Sequence, residues 1–159
     1  MLISKTSQYA IQTLIYLATQ QQGKPIISRI AAARLGVPAA FLAKILQTLS
    51  KDGILTSNRG RLGGFQLSDA PENISLMRIL SITEGADFAQ KCVLGLKDCS
   101  DETACPMHQK WKPIKEEIIG MMTVHTLATL SEAVLTGRYR ICDIAGSVFC
   151  PTIPKAPAD

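Results

Sequence analysis

Residues 28–67 leave this chain little choice of fold. Ser28 is placed to cap a short helix over 29–35, and Gly36 supplies its stop. Val37-Pro38 then opens a further helix in which Phe41, Leu42, Ile45, Leu46 and Leu49 recur at three-to-four spacing and face inward, with Gly53 as terminator. Two short helices joined by a tight glycine-containing turn outline a helix-turn-helix. Directly behind them, Ile54-Leu55-Thr56-Ser57 and Gly64-Phe65-Gln66-Leu67 predict two short strands flanking Asn58-Arg59-Gly60-Arg61-Leu62-Gly63. That is a hairpin with a basic, glycine-rich tip, in the position of a wing. The fold class is therefore mainly α with a small β-hairpin wing: a winged helix-turn-helix, to which a long dimerisation helix is added below.

The flanking segments read as helices. From Ser4, a candidate cap, Tyr9, Ile11, Leu14, Ile15, Leu17 and Ala18 form one apolar face up to Gln22, with Gly23 and Pro25 ending the run. Beyond Pro71, Ile74-Ser75 leads into a helix through Leu76, Ile79, Leu80 and Ile82 that ends near Gly85. Farther on, Trp111, Ile114, Ile118, Met121 or Met122, and His125 step by three or four, with Lys112, Lys115, Glu116 and Glu117 elsewhere around the helix. Such a helix can fold onto its own core; self-association is favoured, because helix-turn-helix dimers read paired half-sites. Trp111, Ile114, Ile118, Met121 and Met122 are then the expected homodimer interface, and His125 a helix-end residue. Thr129-Leu130-Ser131-Glu132 matches a capping box for one more short helix, stopped by Gly137. The proline-containing tail over 138–159, with Cys142 and Cys150, is expected to be extended.

Charge divides unevenly. Residues 1–70 hold eight Lys or Arg against two Asp or Glu, whereas the remainder holds nine against eleven, together giving the net +4. The positive field thus belongs to the winged unit, and double-stranded DNA is its expected partner. Ala39, Ala40, Lys44 and Gln47 lie on the side of the second helix suited to base edges, alanine being able to touch a thymine methyl. Arg59 and Arg61 at the hairpin tip suit phosphates or a narrow minor groove. A protein-binding module is the rival reading of the same outline.

Between the two halves lies Cys92-x6-Cys99-x5-Cys105-x2-His108, in a stretch without helical or alternating period. Three thiols and an imidazole on one loop are a metal-site signature, suited to zinc or to an iron–sulfur cluster in which imidazole replaces one thiolate. Zinc sites mostly space their ligands by two to four residues, so the wider spacing favours a cluster, with zinc and unliganded thiols left open. Pro106 suits a first helical turn, which would put Cys105 at a helix start with His108 one turn on. Near-half apolar content, no long apolar run and no signal-peptide pattern predict a cytoplasmic protein with no membrane partner, where lasting disulfides are rare. No Ser/His/Asp, Cys/His/Asn or paired-carboxylate constellation emerges, and no phosphate-binding glycine motif precedes a helix, so an enzyme is not expected.

These segments resemble the IscR and NsrR family of bacterial winged-helix regulators that carry iron–sulfur clusters. The resemblance runs through Ser4-Lys5-x-x-x-Tyr9-Ala10, Phe41-Leu42-x-Lys44-Ile45-Leu46, Arg59-Gly60-Arg61-Leu62-Gly63-Gly64, Ile74-Ser75-Leu76, Glu84-Gly85 and the three cysteines, and fades after Gly137. It implies a homodimeric DNA-binding regulator, a repressor being favoured, that senses iron–sulfur supply, nitric oxide or redox state and meets cluster-assembly proteins. Cys92, Cys99 and Cys105 fall on the family's ligand positions and His108 on the fourth of the IscR type. A 2Fe-2S cluster is favoured, with 4Fe-4S left open. Two departures stand out: the first cysteine spacing is one residue longer than in IscR, and Ala43 stands where some members carry an acidic residue. The expected organisation is a winged helix-turn-helix over 1–84, a cluster loop over 85–106, dimerisation helices over 107–137 and a tail over 138–159. The alternative is a zinc-stabilised winged-helix adaptor or constitutive DNA binder.

Overall fold

The computed structural model describes residues 3–20, 24–58, 60, 63–97 and 99–141. Six helices and one hairpin follow in order among them: α1 (Lys5–Ala18), α2 (Ser28–Leu35), α3 (Ala39–Lys51), β1 (Leu55–Asn58), β2 (Gly64–Leu67), α4 (Leu76–Thr83), α5 (His108–Val124) and α6 (Leu127–Leu135). Single 3-10 turns at Pro71–Asn73 and Phe88–Gln90 flank α4. The architecture is thus mainly α with a two-stranded antiparallel wing.

The core is built from the stripes that periodicity picks out. Ala10 and Leu14 of α1, Leu42, Ile45, Leu46 and Leu49 of α3, Ile54 after it and Ile79 of α4 are buried together. Burying such side chains is the main favourable term holding the helices to one another. Gly36, with φ 68°, adopts the left-handed conformation that stops α2 and turns the chain into α3. The wing pairs Leu55 with Leu67 and Asn58 with Gly64, and gains an outer rung where Ile26 and Phe65 exchange two backbone hydrogen bonds of 2.9 Å. Gly64 is required at that crossing, since a Cβ there would stand 2.6 Å from the Ile26 carbonyl oxygen.

Several boundaries differ from the sequence expectation, each for a local reason. Helix α1 stops at Ala18 rather than Gln22: Thr19 N is shared between Ile15 O and Tyr16 O, Gln20 N turns to Leu17 O three residues back, and Thr19 Oγ1 donates to Tyr16 O at 2.7 Å. Residues 21–23, with the Gly23 stop, lie outside the described residues. Ser28 is the first helical residue rather than a cap; Ile27 takes that place without a side-chain acceptor, held extended by the rung at Ile26. Phe41 is exposed, not inward-facing, and sets its ring edge-on to Tyr9 with centroids 5.9 Å apart. Pro106 precedes α5, which begins at His108, and Pro113 lies within that helix with no N–H to donate to the Gln109 carbonyl. The capping box of α6 is Thr126 with Thr129, three residues earlier than the expected pair.

The last helix lies in the same core as the first. Leu127 is fully buried, Val134 nearly so, and α6 packs on α1. A two-bond bridge fastens it: Leu127 N donates to Ile74 O at 2.9 Å and Leu76 N to His125 O at 3.0 Å. The C-terminal end of α5 is therefore tied to the N-terminal end of α4. Among the described residues no helix is long and apolar enough to cross a membrane.

Candidate metal-binding loop and nucleic-acid interface

The loop between α4 and α5 brings the four donors of the cysteine motif together two by two. Cys92 is buried, Cys99 and Cys105 are partly so, and all three are free thiols. Cys105 Sγ lies 4.0 Å from Cys92 Sγ, and Cys99 Sγ lies 3.6 Å from His108 Nδ1. His108 opens α5, and its backbone N–H donates to Cys105 O at 2.9 Å, which closes the Cys105–Pro106–Met107 turn. Its side chain is 5 % exposed.

The other face of that imidazole has a partner the sequence reading missed. Asp101 Oδ1 is 2.9 Å from His108 Nε2, and Asp101 Oδ2 accepts from Lys112 Nζ at 2.6 Å. A carboxylate on Nε2 favours the tautomer with the proton there, leaving the Nδ1 lone pair facing Cys99. The hydrogen bond from Lys112, followed by that from His108, holds the Asp101 carboxyl below the ordinary aspartate range, and Asp101 in turn raises Lys112. At Cys92, the backbone N–H of Leu94 acts first and that of Leu96, with the Cys105 and Cys99 thiols, adds to it; against the opposing effect of burial they lower the thiol below its usual value. A lowered thiol is closer to the thiolate that a metal requires.

Among the described residues no group of three or more His, Cys, Asp or Glu is arranged to hold a metal ion. The donors instead stand as two pairs, Cys92 with Cys105 and Cys99 with His108. As chemistry the set fits a soft or borderline metal: three thiols, one imidazole oriented by a carboxylate, and no hard oxygen donor among the four.

Two further contacts join the loop to the winged unit. Lys91 Nζ, next to Cys92, donates to the Glu84 carbonyl at 2.6 Å. The Glu84 carboxylate reaches the start of α1, accepting from Ser4 N at 2.6 Å and from the buried Ser7 hydroxyl. Burial alone would raise the Glu84 carboxyl; the bonds from Ser7 and Ser4 outweigh it and hold the group below the ordinary glutamate value. A carboxylate is also favoured there by the unpaired N–H groups of a helix N-terminus.

Helix α5 divides the expected dimer residues between two faces. Trp111, Ile118 and Met122 are partly buried against their own chain, and Trp111, Ile118, Phe88 and Cys92 line a cavity of about 250 Å³ beside the loop. Ile114 and Met121 are half exposed on the outer side, and Val124 continues their row. On α3, Ala39, Ala40, Lys44 and Gln47 are all exposed, and so are Phe41, Thr48 and Lys51, which had not been singled out for that face. Arg29 and Arg34 on α2 add exposed basic groups. Arg59 and Arg61 of the wing tip, and Cys142 and Cys150 of the tail, lie outside the described residues.

A family model described as "Rrf2: Iron-dependent Transcriptional regulator" matches residues 3–133. A protein of Aquifex aeolicus described as an HTH-type transcriptional regulator is 33% identical over 120 residues, covering 74% of this chain and 83% of its own. The HTH-type transcriptional regulator IscR of Photorhabdus laumondii is 26% identical over 147 residues, covering 92% and 85%. Among solved structures, IscR of T. potens superposes with a TM-score of 0.66 at 25% identity, over 82% of this chain and 87% of that one. CymR, the global cysteine regulator of B. subtilis, gives 0.70 at 23% identity over 82% and 96%, a likeness of fold.

Proposed function

The chain belongs to the Rrf2 family of transcriptional regulators, and we propose that within it this protein is a homodimeric repressor whose operator affinity is set by an iron–sulfur cluster. It is a DNA-binding regulator of the winged-helix type and not an enzyme. Cys92, Cys99, Cys105 and His108 would hold the cluster. The observation that carries this reading is the buried His108, clasped on one nitrogen by Asp101 and turned on the other toward the Cys99 thiol. A surface histidine with no ligand role has no need of that orientation. The grouping of the donors two by two supports a 2Fe-2S centre over a single tetrahedral ion.

When bound, an iron–sulfur cluster supplies a centre whose charge and integrity respond to iron–sulfur supply, oxidants or nitric oxide. The protein's own part is to make the loop's position matter at the DNA. Lys91 links the loop to Glu84, and Glu84 links to Ser4 and Ser7 at the start of α1. Tyr9 of α1 touches Phe41 of α3. The far end of α5 is hydrogen-bonded to the start of α4. A loop that rearranges therefore shifts both the winged unit and the helix that sets the separation of two such units. Dimers bind well only when their recognition helices match half-sites about one helical turn, or a multiple, apart. A coupling of about 1 to 3 kcal/mol is enough for a roughly 5- to 150-fold switch.

The test is an iron and sulfide assay with visible absorption on anaerobically purified protein. Brown protein with iron and sulfide, and colourless protein after Cys92→Ala, Cys99→Ala and Cys105→Ala together, is the expected outcome. Colourless parent protein holding one zinc per chain would replace the sensor with a zinc-stabilised regulator.

A further inference from the structure

Resting on the DNA-binding reading above, we propose that α3 recognises thymine through its C5-methyl group, and that Phe41 supplies the decisive contact. The exposed side chains of α3 are Ala39, Ala40, Phe41, Lys44, Gln47, Thr48 and Lys51. None is a carboxylate, the side chain matched to cytosine N4, and the other acceptors, Gln47 and Thr48, lie beyond the first turn. Its first turn, the part of a recognition helix that meets base edges, is apolar throughout.

Phe41 is surplus to the core. Leu42, Ile45, Leu46 and Leu49 are buried on α3's inner side, while Phe41 stands 38% exposed, about 100° around the helix from Ala40. A lone exposed apolar side chain ordinarily needs no account. This one is held in place, because Tyr9, itself packed against the core, meets the ring edge-on at 5.9 Å and 79°. The thymine methyl is the apolar group that a major groove offers, and Ala and Phe are side chains that contact it. Lys44 and Gln47 lie farther along the same helix, with donors matched to guanine and adenine. The basic surroundings of this apolar turn, Arg29 and Arg34 on α2 and Lys44 and Lys51 on α3, suit a polyanion rather than an apolar protein surface. The structure thus assigns thymines to the half-site positions opposite residues 39–41.

The probe is a duplex selected by the full-length protein from a random-sequence pool. Its thymines are then replaced one at a time by deoxyuridine, which lacks the methyl and keeps every hydrogen bond of the pair. At contacted positions the parent should bind about fourfold more weakly, the ~0.8 kcal/mol of one buried methyl-sized group. Phe41→Ala should lose that dependence at one position or more while keeping the salt slope of binding, and Phe41→Leu should keep both. Melting temperatures near the parent's establish that both variants fold. Indifference to deoxyuridine at every position, or a dependence unchanged in Phe41→Ala, overturns the inference and leaves DNA binding standing. Failure to select any duplex overturns the inference and DNA binding together.

Discussion

Truncating Leu127 to alanine tests whether the helices after the cysteine loop share the fold of the winged unit. Leu127 is fully buried and packs with the same core as Leu14 and Ile74, although more than two thirds of the chain separates it from α1. Leu→Ala removes three carbons, a transfer loss of about 2.4 kcal/mol at ~0.8 kcal/mol each. Incomplete collapse of the site adds a cavity cost, for a total of about 3 to 4 kcal/mol. In a chain of this length that is a fall in Tm of roughly 6 to 16 °C. Trp111, the single tryptophan, sits on α5 and gives a fluorescence probe of that helix, while circular dichroism follows the whole protein. Urea titrations at one fixed protein concentration should show both signals moving together to a lower midpoint with an unchanged slope. A cost below about 1 kcal/mol, or a tryptophan transition that moves alone, would refute the shared core.

Three further outcomes follow from named contacts. Asp101→Asn keeps the shape beside His108 and removes the charge that orients it, so iron retention should weaken about 10- to 100-fold with little change in melting; unaltered retention would sink the orienting role. Glu84 has a folded value below its unfolded one, so its stabilisation is present above the unfolded glutamate value of about 4.3 and is lost as pH falls through the lower folded value. Urea midpoints of Glu84→Gln should therefore lie below the parent's at pH 7 and converge with them in acid, whereas parallel profiles would deny Glu84 that part. Met121→Glu puts a charge on the exposed outer row of α5, where the monomer fold tolerates it. Sedimentation should then show a shift from dimer to monomer, and an unchanged dimer would place the interface elsewhere.

What the sequence disclosed depended on whether the governing interactions were local. The helix pair and the wing were legible because Gly36 and Gly53 punctuate the inward row Leu42, Ile45, Leu46 and Leu49, and a glycine at positive φ is read from neighbours in the chain. Phe41 was assigned to the wrong side because apolar type does not say which flank of a helix it occupies; the Tyr9 ring that holds it comes from another helix. The same limit hid the Glu84 bonds to Ser4 and Ser7, which join residues 80 and 77 positions apart. It also hid the burial of α6 against α1, so that residues 127–135, grouped with the dimer helix on sequence, carry core positions of the winged unit. The cysteines and His108 could be picked out by ligand chemistry alone. Asp101 could have been suspected as a carboxylate within the same loop, but nothing in its spacing marks it as the partner of His108 Nε2. Pro113 does not interrupt α5 in the sequence pattern because the apolar period continues through it, and Pro113 and Gln109 are both exposed.

The claim on which the account turns is that the cysteine loop governs DNA affinity. One operator duplex, titrated at one salt concentration with cluster-loaded protein and with the same preparation stripped of iron, measures it directly. The account predicts affinities that differ by roughly 5- to 150-fold, with the difference abolished when Cys92, Cys99 and Cys105 are all alanine. Equal affinity of loaded and stripped protein would contradict it.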